Sequence, residues 1–251
     1  MRRSLPIVGA LAAAAALFAV QLAPATLADA RVAAATKGAV RLIDAEGTLW
    51  NARAVLAAGA TRIPIAWRID PWSLLRGELR LHLERADGTS SATPKGDIAF
   101  RRDSVELREV DATVPAAFVA AIAGANSALA GGDVSFSSAS IEWAPPASRG
   151  DARIRWLGAW VTAPGSTDPT ALGDITAALS ASGDRLAGPI SNAGGDLVLQ
   201  GTVTLGAESG PQISLVLTPR RADDRKLAQA LSLIGVPEGG GFRVEWRLPR
   251  R

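Results

Sequence analysis

The chain has 251 residues but no cysteine, no tyrosine, a single histidine (His82) and one methionine, at position 1. Without thiols there is no disulfide framework, no thiolate nucleophile and no cysteine-ligated zinc. A serine hydrolase would have only His82 to act as its base. Lysine is scarce as well, confined to Lys37, Lys95 and Lys226. The sequence pI of 10.1 therefore reports arginines that titrate late, and the formal net charge is only +3. Two of those charges are Arg2 and Arg3, which leaves +1 on the rest. A nucleic-acid partner needs a basic stripe, and none is present.

Apolar residues make up 48% of the chain and charged ones 20%, with 25 Gly and 15 Pro. That composition buries a core and marks a turn-rich globular domain. Behind Arg2 and Arg3 an uncharged segment runs to Ala28, and its apolar part, residues 5–27, is long enough to cross a bilayer. The positive-inside rule leaves residues 1–4 in the cytoplasm and sends everything after the helix across the membrane. A retained anchor is the reading its length favours. Ala28-Asp29-Ala30 is an A-x-A-like triplet that keeps a signal peptide open as the other reading. Residues 28–39 are expected as a linker and 40–251 as a periplasmic β domain.

From Val40 onward the dominant period is two. Ile65, Trp67 and Ile69 alternate with Ala66, Arg68 and Asp70; Leu79, Leu81 and Leu83 alternate with Glu78, Arg80, His82 and Glu84. Such alternation predicts strands with one buried and one wet face, so that replacing Arg80 should change little. The pattern recurs in about a dozen segments up to Phe242, Val244 and Trp246, which predicts a mainly β domain. A curved antiparallel sheet, open or partly closed like a barrel, is the expected form. Six Gly-Asp dipeptides, at 96, 132, 150, 173, 183 and 195, read as recurring hairpin turns. Two capping helices are expected, over 115–130 and from Asp223-Asp224 to Gly235.

No catalytic, metal-binding or cofactor-binding residues are assigned. His82 lies among charged residues on a polar face and reads as solvated. Glu106 with Glu109 is a carboxylate pair of the kind glycosidases use, but nothing local gives its separation. Glu238-Gly-Gly-Gly241 precedes a strand, whereas a phosphate loop follows one, so it reads as a hairpin. The arginines at 220, 221, 225, 243, 247, 250 and 251 form the densest basic region, a solvated face or a contact with acidic protein or anionic lipid. Seven Trp are accounted for mostly by core packing, while an exposed group of them would mark a partner site.

Four segments taken in order resemble the type II secretion system protein N family of Gram-negative bacteria. They are Gly47-Thr48-Leu49-Trp50-Asn51, then IAWRIDPWSLLRGEL over 65–79, then GPISNAGGDLVLQG over 188–201, and finally Leu217-Thr218-Pro219-Arg220 with the helix to Gly235 and the strand to Trp246. The residues that carry the resemblance are Gly47, Leu49, Trp50, Trp67, Pro71, Leu75, Gly77, Asn192, Gly194, Gly195, Gly201, Pro219, Arg220 and Gly235. Ala52 departs from the family's usual glycine. The resemblance implies a non-enzymatic accessory of the inner-membrane part of the machine that exports folded periplasmic proteins. Its implied partners are other secretion components, the inner-membrane platform first and the outer-membrane secretin as a further candidate, and the membrane itself through the N-terminal helix. A periplasmic lipid-binding or lipid-bridging protein is the alternative, because a curved sheet with an apolar concave face can shelter an acyl chain.

Overall fold

Among the described residues, period-two alternation produces one antiparallel sheet of 14 strands. A computed structural model of the chain describes residues 22–84, 94–124, 126, 129–162, 168–207, 210–221 and 223–247. The strands of the first half are β1 (Arg41–Thr48), β2 (Asn51–Ala58), β3 (Thr61–Asp70), β4 (Leu79–Glu84), β5 (Lys95–Phe100), β6 (Val105–Pro115) and β7 (Ala130–Trp143). Those of the second half are β8 (Ser148–Thr162), β9 (Pro169–Gly183), β10 (Arg185–Ala193), β11 (Leu197–Gly206), β12 (Gly210–Pro219), β13 (Val236–Glu238) and β14 (Gly241–Arg247). Each strand pairs with the next in sequence, except that β14 lies between β12 and β13. The sheet is thus an open meander, which settles the open form over the closed one.

One face is apolar from end to end. Cross-strand neighbours run Leu42, Leu56, Ile63 over β1–β3 and Ile69, Leu81, Ile98, Leu107, Ile141 over β3–β7. The row continues as Phe136, Ile154, Ala177, Ile190, Gly201, Leu215, Val244 over β7–β14. Helix α1 (Thr26–Ala35) lies against β1, and α2 (Ala116–Ile122) touches β6, β7 and β2. A helix of seven residues spans only about 10 Å, so β2 and β7 reach it only if the sheet curls around it. Phe118 of α2 packs with Ile65 and Trp67 in the first core cluster. At the other end α3 (Arg225–Ile234) buries Leu231 with Leu197, Leu199 and Leu217. The cluster between them, around Ile141, Ala177 and Leu179, draws on strands alone.

Several expectations change. The anchor over 5–27 falls mostly on residues 1–21, outside the described residues. Among the described residues no helix is long and apolar enough to cross a membrane. Where a linker was expected at 28–39, the chain forms α1, and Ala25 before it is buried while Pro24 bridges Thr48. The helix expected over 115–130 ends at Ile122 with Gly124 following at positive φ. The one expected after Asp223-Asp224 forms as read, with the Asp224 side chain accepting from the Leu227 N–H.

The Gly-Asp dipeptides are not all turns. Gly183-Asp184 ends β9 at the turn into β10 and Gly195-Asp196 lies between strands, but the other four lie inside them. At Gly96 and Gly132 the pairing register shifts, which is the mark of a bulge. Both have positive φ, and a Cβ at Gly132 would stand 2.4 Å from the Leu157 carbonyl oxygen. Long strands need such bulges to curve, and glycine supplies the backbone geometry there.

Candidate interaction surface

An antiparallel meander places alternate connections at opposite ends of the sheet. One end gathers Gly47, Leu49, Trp50, Trp67, Pro71, Leu75 and Gly77. The Trp67 indole Nε1–H donates to the Leu49 carbonyl at 2.9 Å, and the Ile69 N–H donates to the Trp50 carbonyl at 2.7 Å. The β1–β2 turn is thereby tied to the end of β3. The chain also enters the fold here: the Leu49 N–H donates to the Ala23 carbonyl and the Ala25 N–H to the Gly47 carbonyl. A side chain at Gly47 would put its Cβ 2.5 Å from the Asn51 carbonyl oxygen, which explains the glycine.

Between β3 and β4 stands a 3-10 turn, Pro71–Arg76, and it is firmly built. Asp70 caps it by accepting from the Trp72 N–H at 3.0 Å, and Gly77 closes it in the left-handed region at φ 75°. Ser73, fully buried, donates its hydroxyl to the Asp70 carbonyl at 2.6 Å and accepts from the Arg80 N–H at 3.2 Å. Yet the turn holds apolar side chains in solvent: Trp72 is 70% exposed, Leu75 80% and Leu74 46%. Core packing accounts for Trp67 but not for Trp72 or for Trp246 at the other edge. The local signal was legible, since PWSLLRG has no alternation and Pro and Gly bound it.

The second set of family-type residues lies at the far end and in the other half. The Asn192 side-chain amide donates to the carbonyls of Leu172 at 2.6 Å and Leu197 at 2.9 Å, and its oxygen accepts from the Leu199 N–H at 2.8 Å. One side chain thus staples the ends of β9, β10 and β11. Gly194 and Gly195 form the adjoining turn, and the Arg220 guanidinium donates to the Gly194 carbonyl at 3.2 Å. Pro219 pairs with Leu197, Gly201 lies mid-strand against Leu215, and Gly235 ends α3. The two sets do not meet in one site.

The polar face carries a charged cluster that sequence reading missed. Glu78, largely buried, lies 2.7 Å from Arg80 and 3.2 Å from Arg101; Glu106 is bound by Arg101 at 3.0 Å and by Arg108. Burial works to raise the Glu106 pKa, but hydrogen bonds from Arg108 and Arg101 outweigh it and hold the carboxyl below its usual value. That is the opposite of what a general acid needs, and Glu109 sits apart on a bulge at positive φ. His82 pairs with Asp97 on the same face, and the shallow hollow beside them is lined by Arg80, Ala99, Glu106 and Arg108, with no hydroxyl among its lining residues. The glycine run at 239–241 closes the β13–β14 hairpin as expected, where Arg243 pairs with Glu238. Arg221 lies 3.7 Å from Asp224.

Residues 38–245 match the family model of type II secretion system protein N. The chain belongs to that family. No curated protein and no solved structure matches it. Membership in the protein N family implies a role in type II secretion and a place in the cell envelope; the family is an accessory component not known as an enzyme. The matched span begins after α1 and ends within β14, two residues short of the end of the meander.

Proposed function

We propose that the chain is a single-pass protein of the inner membrane, anchored by the apolar N-terminal segment up to Leu22, ahead of the point where Ala23 and Ala25 join the fold, and that its β domain acts in the periplasm as a non-enzymatic contact component of type II secretion. The family match over the meander carries this reading. Supporting it, α1 packs Ala28 and Val32 into the first core cluster beside Ala25, so cleavage after Ala30 would remove part of that core. Both sheet edges are blunted: β13 has three residues including Pro237, and β1 is bridged at Thr48 by Pro24. Contact with the platform, or with the secretin, therefore runs through the ends of the sheet more than through strand pairing. The test is deletion of the gene in its host, with release of secreted folded proteins as the readout and photo-cross-linkers placed in the β domain. Reduced release with secretion components captured supports the reading.

The lipid-bridging reading has one observation in its favour. On the concave face Leu107, Phe136, Leu186 and Val203 are only partly buried, and the three apolar clusters share none of their buried residues, with Ile190 packing against two of them. Normal secretion, with phospholipid retained on the purified protein, would replace the first reading by this one.

A further inference from the structure

We propose that the 3-10 turn Pro71–Arg76 is a membrane-contact element that inserts Trp72, Leu74 and Leu75 into the interface of the bilayer holding the N-terminal segment. The proposal rests on the anchored reading above and adds an orientation to it. Three observations carry it.

The first is placement. Ala23 and Pro24, where the chain enters the fold, bond Leu49 and Thr48 at one end of the sheet, and the turn leaves β3 at that same end. With β1, β2 and β3 adjacent and strands about 4.8 Å apart, the entry point and the turn lie on the order of 10 Å from each other. A membrane at residue 22 is therefore within reach of the turn.

The second is construction. Exposed apolar side chains on a loose loop would mean little, but this turn is pinned by buried Ser73, capped by Asp70 and closed by Gly77. Its geometry keeps the apolar groups outward, and leaving them in water is unfavourable.

The third is chemistry. Trp prefers the headgroup level, where its ring is buried and its N–H is wet, and leucines reach into the acyl boundary. Arg76 follows on the same turn with its side chain largely exposed; its guanidinium lies 3.5 Å from Asp70 and 3.7 Å from Glu78, long pairs that leave it donors for lipid phosphate while its stem lies along the apolar layer.

The chain lacks cysteine, so one introduced thiol reports one position. Full-length Leu75→Cys and Trp72→Cys, labelled with nitrobenzoxadiazole, are reconstituted into phosphatidylethanolamine and phosphatidylglycerol vesicles with or without spin-labelled lipid. Leu22→Cys serves as the entry-point control and Ala60→Cys, in the β2–β3 turn at the opposite end, as the distal control. Blue-shifted emission at positions 72 and 75, quenched by spin-labelled lipid as at 22 while 60 stays unquenched, is the expected result. Unquenched emission at 72 and 75 with quenching at 22 overturns the proposal, leaves the anchor intact and assigns the turn to a protein partner. Absence of quenching at all four positions overturns the anchored reading and the proposal together.

Discussion

The Asp29 carboxylate on α1 is held in a fork by Arg41 at the start of β1, with Nε 3.0 Å from Oδ1 and Nη2 2.6 Å from Oδ2. The same carboxylate accepts from the Leu42 N–H at 2.8 Å. These bonds, from Arg41 first and then from the Leu42 amide, lower the Asp29 pKa from 3.8 to about 2. A carboxyl whose pKa is depressed on folding contributes stability above its unfolded value and loses it as pH falls through the folded one. Docking of α1 should therefore weaken between pH 3.8 and about 2. The protection of the Leu42 amide relative to its intrinsic exchange rate should fall over that window, and Asp29→Asn should be less protected at neutral pH with the acid step flattened.

Asn192 provides a second test. It satisfies the carbonyls of Leu172, Leu197 and, more weakly, Gly194 together with the Leu199 amide, and Asn192→Ala leaves all four without that partner. Loss of such bonds in a partly buried site costs about 2–3 kcal/mol. Asn192→Asp should cost at least as much, because a carboxylate cannot donate to the Leu172 and Leu197 carbonyls. Urea denaturation of the full chain measures both, and an Asp variant as stable as wild type would contradict the assignment.

Neighbouring positions on β4 should both be sensitive, for different reasons. Leu81→Asp sets a carboxylate on the apolar face opposite Ile69 and Ile98 and should destabilise by roughly 3 kcal/mol. Arg80→Asp, on the face expected to be wet, removes a cation 2.7 Å from largely buried Glu78 and adds a like charge. About 1–3 kcal/mol is expected, partly offset by Arg101, and Arg80→Gln should cost less. Equal stability of Arg80→Asp and wild type would show that Glu78 is solvated.

Ser73→Ala removes a hydroxyl that bonds both Asp70 and the Arg80 amide from a fully buried position. The expected cost is about 1–2 kcal/mol. The local effect should exceed the global one: exchange at the Gly77 and Glu78 amides should quicken, since both donate to carbonyls of this turn.

Alternation was enough to read the strands from the sequence, because the pleat imposes a period of two wherever one face is buried. Leu79 to Leu83 and Ile175 to Ala181 needed nothing else, and Asp224 and Gly235 bounded α3 through capping chemistry that is equally local. The Ala-rich stretch 26–35 has no marked apolar stripe, and it is a docked helix because Asp29 meets Arg41 across 12 positions and Ala28 and Val32 reach the core. Likewise Gly-Asp has the same local freedom in a turn and in a bulge, and the partner strand selects between them. Arg80 and Glu78 looked solvated because burial of a polar face depends on neighbours from β5 and β6. The exposure of Trp72 follows from a balance that local pattern does not contain: Ser73 inside, held by Asp70 and Arg80, forces the residues beside it outward.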